Sequence, residues 1–136
     1  MTKAVLVLRT DDPIDFTVSN AVGIEKGSIV KLKDPRMAVI PHAQADVLAG
    51  ITHKEKIASD GRTQLSVFRK GIFRLIASGS ITVGDAVAAG ATADTVYTPA
   101  VTVKSGSILG HSLETVTTGQ TVEIDVDVGS GSQGVA

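Results

Sequence analysis

Asp60-Gly61-Arg62-Thr63-Gln64-Leu65-Ser66-Val67-Phe68-Arg69-Lys70-Gly71-Ile72-Phe73-Arg74-Leu75-Ile76-Ala77-Ser78-Gly79-Ser80-Ile81 is the densest β-branched and aromatic run in the chain. Asp60-Gly61 opens it as a turn pair, because Asp bonds nearby backbone and Gly accepts a positive φ. Leu65 and Val67 then fall on one face of a strand, Ser66 and Phe68 on the other. Gly71 interrupts the run, which in a strand pattern signals a bulge or sharp bend. Residues 72–77 resume the strand, so a bent strand pair forms the spine of the expected fold.

Around this spine one short pattern recurs. Ile24-Glu25-Lys26-Gly27-Ser28-Ile29-Val30, Ile81-Thr82-Val83-Gly84-Asp85-Ala86-Val87 and Val116-Thr117-Thr118-Gly119-Gln120-Thr121-Val122 each place an aliphatic residue three positions before Gly and end on Val. The pattern reads as a tight turn with Gly in the left-handed region, followed at once by a strand. The copies are unevenly spaced, which excludes a solenoid.

The remaining segments follow from periodicity. Residues 4–8 are a continuous apolar run of strand length, the mark of a strand buried on both faces. An arm that orders only on a partner's sheet is the alternative. In residues 14–19, Ile14, Phe16 and Val18 alternate with polar neighbours. Residues 31–34 complete a strand, 41–46 fit one helical turn, and 47–52 a short strand. Thr52 with Glu55 three residues on predicts a short helix over 51–59. Strands are expected at 83–89, 95–97, 108–113 and 121–128. The last alternates most cleanly, with Val122, Ile124, Val126 and Val128 facing in. The Gly/Ser-rich residues 129–136 read as a fraying tail.

Composition narrows the function. The chain has 136 residues, one domain by length. Aromatics make up only 3% and Trp is absent, so Val, Ile, Ala and Thr must fill the core. A core this thin gains from association with copies or partners. Without Cys there are no disulfides, thiolate sites or Cys nucleophiles. There is no apolar run long enough to span a membrane and no signal-peptide pattern. Net charge is −1, but residues 26–74 carry ten basic and four acidic groups, and residues 75–136 one and six. That asymmetry suits either complementary docking faces or two solvated faces. Nucleic acid is disfavoured, because the cations are not interleaved with stacking aromatics.

Chemical motifs are weak. Residues 129–134 fit G-x-G-x-x-G without a following helix. Glu123, Asp125 and Asp127 lack the Gly and the final acid of a calcium loop and read as a solvated strand face. His42, His53 and His111 lie apart, and Ser66 and Ser112 have no nucleophile elbow. The residues point to a structural or binding protein, not an enzyme, with no cofactor, metal or small-molecule substrate.

Read in order, several short motifs carry a family likeness. They are Gly23-Ile24-Glu25-Lys26-Gly27, Ala49-Gly50-Ile51, residues 55–63, Gly71-Ile72-Phe73, residues 79–87, Ile108-Leu109-Gly110 and Leu113-Glu114-Thr115. From about Val18 to Val128 the chain resembles the capsid cement proteins of tailed phages, which are similar to lambda-like head decoration proteins. The resemblance implies a mainly β fold, a compact tulip- or clip-type barrel of many short strands, Gly turns and one or two short helices. It implies a barrel domain over 13–128, an N-terminal strand or capsid-binding arm over 1–12 and a flexible tail over 129–136. It further implies a homotrimer on the outer surface of the virion head, made in the host cytoplasm, whose partner is the major capsid protein. No nucleic-acid or membrane partner is implied. The arm would comprise Thr2, Lys3, Ala4, Val5, Leu6, Val7, Leu8 and Arg9. Arg62, Arg69, Lys70 and Arg74 are expected at a trimer or capsid contact. The alternatives are another β-rich phage part, such as a head-fibre base or tail component, and a small β-barrel ligand-binding module.

Overall fold

The computed structural model describes residues 3–9, 12–34, 36–40, 46–92, 94–99 and 105–128. Among the described residues there are eleven strands: β1 (Val5–Leu8), β2 (Ile14–Thr17), β3 (Ile29–Lys33), β4 (Met37–Val39), β5 (Leu48–Thr52), β6 (Gln64–Phe68), β7 (Lys70–Ala77), β8 (Ala86–Ala89), β9 (Thr95–Tyr97), β10 (Ile108–Ser112) and β11 (Thr121–Asp127). The mainly β fold expected from the sequence is what forms, and it is built of two small closed barrels. β2-β4-β3-β5-β6 close the first ring; β7-β11-β10-β8-β9 close the second through a β7–β9 pairing.

The two rings have the same topology. β2–β4 and β7–β9 are parallel, and every other pairing within each ring is antiparallel. Ile24 bridges Lys56 in the first ring, and Ile81 bridges Val116 in the second. The Gly27 N–H donates to the Thr52 carbonyl at 3.1 Å, and the Gly84 N–H to that of Ser112 at 2.8 Å. The recurring turn thus has four copies, two per ring. Its left-handed residues are Gly27 (φ 82°), Ser59 (φ 59°), Gly84 (φ 88°) and Gly119 (φ 83°). The copy at Lys56-Ile57-Ala58-Ser59-Asp60 is hidden in the sequence, because Lys replaces the aliphatic residue and Ser the glycine.

The spine joins the rings. β6 ends at Phe68 and β7 begins at Lys70, so the bend falls at Arg69, two residues before the Gly71–Val126 pair. Leu65 and Val67 point into the first ring with Phe16, Val18, Ile24, Val30, Ala38 and Ala49. Phe68 joins Ile29, Leu48, Ile51, Phe73, Leu75 and the second ring's interior in one shared core. β5 is therefore buried along its whole length, one face inside its ring and the other between the rings. Two short barrels with few aromatics acquire one adequate core by packing together.

Two expectations are corrected. The residues of β1 are all exposed rather than buried on both faces. The helix over 51–59 does not form. Thr52 ends β5, and its Oγ1 accepts from the Ser28 N–H and donates to the Glu25 carbonyl, so it is not free to cap. Among the described residues the only helical element is the 3-10 turn Ser105–Ser107. The expected helical turn at 41–46 and the tail at 129–136 lie outside the described residues, save for Asp46.

Equivalent glycines hold both rings tight. A Cβ on Gly50 would meet the Phe68 carbonyl oxygen at 2.1 Å, and one on Gly110 that of Asp125 at 2.1 Å. Ala at either position will cost about 1–3 kcal/mol, as overpacking typically does. Ser59→Gly will instead stabilise by about 0.5–1 kcal/mol, because the side chain there sits in a left-handed conformation. Urea unfolding of the three variants checks both signs.

Candidate functional site: an edge strand and the groove beside it

β1 lies outside both rings, as the terminal strand of the six-stranded sheet. It pairs antiparallel with the first half of β7, Val5 opposite Arg74 and Leu6 opposite Phe73, with an irregularity before Leu8. The second half of the same β7 edge is taken by β9. Val5, Leu6, Val7 and Leu8 are 55%, 38%, 42% and 55% exposed. Four consecutive exposed aliphatics on an outermost strand are unusual, since such edges invite pairing with another chain.

The strand is anchored at its start. The Ala4 N–H donates to the Gly27 carbonyl at 2.9 Å. Lys3 Nζ bonds Asp94 Oδ2 at 2.6 Å and reaches Glu25 at 3.2 Å. Asp94 is buried, and its Oδ1 accepts from the Ile29 N–H at 2.9 Å. One carboxylate thus ties β1, the first ring and the second ring. Burial works to lower the Lys3 pKa, but the hydrogen bond and charge of Asp94, then of Glu25, outweigh it and hold the ammonium above its ordinary value.

Beside β1 runs a groove of about 450 Å³ lined by Ala4, Val5, Leu6, Lys26, Gly27, Thr52, His53, Phe68 and Phe73. Its floor is aromatic. Phe68 packs edge-on to Phe73 at 5.7 Å and to His53 at 4.9 Å. Arg9, paired with Asp12, stands 5.6 Å from the Phe68 ring. Burial, then the charges of Arg9, Lys54 and Lys26, push the His53 pKa below the ordinary 6.5. Arg9, Lys54 and Lys26 are all positive.

The four cations singled out in the sequence do not form one cluster. Arg62 reaches the Glu55 carbonyl at 3.2 Å, before β6 begins. Arg69, past the end of β6, donates to the Ala49 carbonyl at 3.1 Å and lies 5.9 Å from the Phe16 ring. Lys70 is opposite Asp127 in the ladder. Arg74 is on the outer face and pairs with Glu123 at 3.2 Å. Thr2 lies outside the described residues, as do His42 and the G-x-G-x-x-G stretch.

Sequence reasoning missed three residues. Asp94 falls between the strands expected at 83–89 and 95–97 and belongs to no motif. His53 was weighed as a ligand and not as a groove wall. Lys56 is wholly buried, with Nζ on the carbonyls of Asn20 (2.8 Å), Val22 (3.0 Å) and Ile57 (3.2 Å) and 3.4 Å from Asp60. Its place in the fourth turn copy, where the others carry an aliphatic, was the available signal. The Arg62 backbone N–H, with that of Ile57 and the nearby Lys56 ammonium, holds the Asp60 carboxyl below its usual range. Among the described residues no three His or acidic side chains converge on a metal-sized site. No helix among the described residues is long and apolar enough to cross a membrane.

The phage cement protein family matches residues 8–129. The chain belongs to this family. Membership implies a structural protein of the virion, associated with the outer surface of the capsid. No curated protein matches the sequence significantly. Among solved structures, the chain is similar to the N base of the head fiber gp8.5 in bacteriophage phi29. The TM-score is 0.53 at 18% identity, covering 84% of this chain and 93% of that one. At that identity the likeness is one of fold.

Removing the clasp has a defined consequence. Asp94→Ala leaves the buried Ile29 N–H without this acceptor and Lys3 without its closest anion, at a cost of about 2–4 kcal/mol. Amide hydrogen exchange of Leu6 and Leu8 will accelerate more than that of Val122 and Ile124. A lowered His53 pKa means its contribution is present above the unfolded value and fades as pH falls through the folded one. Stability will therefore decline on acidification below about pH 6.5, and His53→Gln will reduce that decline in thermal melts.

Proposed function

We propose that the protein binds the outside of the expanded phage head as a trimer and cements neighbouring major capsid subunits against the pressure of packaged DNA. The observation that carries the reading is β1: an anchored, outermost strand presenting Val5, Leu6, Val7 and Leu8 to solvent. A strand of the capsid subunit can add to its outer edge, main-chain hydrogen bonds supplying affinity and the side chains supplying fit. The contact segment is residues 2–9, from Thr2 to Arg9. Family membership supports the capsid as partner.

The mechanism is physical. Internal pressure tends to slide capsomers apart, and each bound copy adds interface at a junction. Interfaces of ordinary size bury ~1,600 Å², and many such contacts around a shell act in parallel. Arg62, Arg69, Lys70 and Arg74 are spread over the surface, so in this reading they are contact residues of different neighbours. Arg74, opposite Val5 across the ladder, is the one beside the arm.

A second reading, the base of a head fibre, draws on the fold shared with the phi29 head fiber N base. It differs in whether a further fibre is carried, not in where the protein docks.

Co-sedimentation with expanded, undecorated shells tests the proposal. Saturation near three copies per three-fold position is expected. Val7→Asp with Leu8→Asp, both at exposed positions, will weaken binding about a hundredfold, the effect of losing two central apolar contacts, while leaving the thermal midpoint nearly unchanged. Full-affinity decoration by that variant would remove β1 from the contact.

A further inference from the structure

The two rings are built alike but their equivalent tips differ in chemistry. In the first ring, Lys26 precedes the left-handed Gly27, whose N–H bonds Thr52, and Thr52 is followed by His53 and Lys54. In the second, Val83 precedes Gly84, whose N–H bonds Ser112, and Ser112 is followed by Leu113 and Glu114. Lys26, His53 and Lys54 of one tip thus correspond to Val83, Leu113 and Glu114 of the other.

Their surroundings differ in the same sense. The first tip borders the groove floored by Phe68 and Phe73, with its rim carrying Lys26, Lys54 and Arg9 around His53. The second is a solvent-exposed knob. Val83 is 58% and Leu113 42% exposed, Glu114 is exposed beside them, and a Cβ on Gly84 would meet nothing within 4 Å. The Val83 N–H on Thr115 Oγ1 at 3.0 Å holds the knob's two segments together. One tip is concave, apolar-floored and basic; its counterpart is exposed, apolar and acidic.

We propose that the knob of one copy, Val83, Leu113 and Glu114, seats in the groove of a second copy, with Leu113 and Val83 over Phe68 and Phe73 and Glu114 against Lys26 and Lys54. The partner is a second copy of this chain because both halves of the match are present on it. Different patches meet, so the contact is heterologous, and in the proposed trimer it closes as a three-membered ring rather than as a two-fold dimer. It deepens the trimer reading by naming the surfaces that make the trimer, rests on that reading, and leaves the outer edge of β1 to the shell.

Sedimentation equilibrium of the full chain tests it. Lys26→Glu with Lys54→Glu is expected to weaken association at least tenfold, and Leu113→Asp to do the same by placing a carboxylate over the aromatic floor. Glu114→Lys alone will also weaken it. Added to the Lys26→Glu, Lys54→Glu chain, Glu114→Lys will restore association, because the charges are exchanged and not lost. Circular dichroism confirms that each variant folds. Unchanged association in the charge-reversed chains, or failure of the exchanged chain to recover, overturns the assignment. Co-sedimentation of wild type with shells is read separately. Loss there would sink the cement reading, whereas decoration by chains whose self-association ignores these residues would sink only the knob and groove.

Discussion

The Asp94 carboxylate is the point on which the arrangement turns. A buried charge is tolerated only when paired and hydrogen-bonded, and Asp94 draws its partners from both other parts of the molecule: Lys3 ahead of β1 and the Ile29 N–H at the start of β3. The residue belongs to the second ring, so satisfying it fixes the first ring against the second. It also brings Lys3 to one spot, from which Ala4 reaches Gly27 and the chain can only run out along β7. The β1 edge and the groove both follow from that one requirement. Without it, a short apolar strand with exposed side chains would have little reason to stay on its sheet.

Much of the fold was legible because alternation reports burial directly. β11 reads off the sequence residue by residue, with Val122, Ile124, Val126 and Val128 buried as expected. β6 and β7 were legible for the same reason, and Gly71 marked their junction to within two residues. In residues 4–8 the strand was legible but its exposure was not, because a run of Val and Leu reads as buried whatever lies against it. The 51–59 segment was misread because a capping signature presumes that Thr52 is free, whereas long-range bonds to Ser28 and Glu25 had already claimed it. The tandem of barrels was hidden because the fourth turn carries Lys56 and Ser59 in place of the aliphatic and the glycine. The groove and the Asp94 clasp join residues far apart in sequence, and no local pattern encodes them.

A repeated scaffold separates what folding requires from what function adds. Positions that keep the same character in both rings are structural: Gly27 with Gly84 in the turns, and Gly50 with Gly110 where backbones nearly touch. Positions that differ between equivalent sites are free of that requirement, since the scaffold accepts either residue. Lys56 and Val116 show the range, one ring end being held by an ammonium on three carbonyls and the other by an aliphatic. Divergence at exposed tips, where packing imposes nothing, is therefore the more informative place to look for binding.

The thin core and the exposed β1 then belong to one design. A chain with 3% aromatics has little margin from its interior alone. Its outermost strand displays aliphatics that gain nothing from water. Each becomes favourable when another chain covers it, at about 25 cal/mol per Å² of apolar surface removed from water. Binding restricted to the folded form also shifts the folding equilibrium toward the native state. In the proposed cement role this coupling would run both ways: the shell would stabilise each bound copy, and each copy the junction it spans.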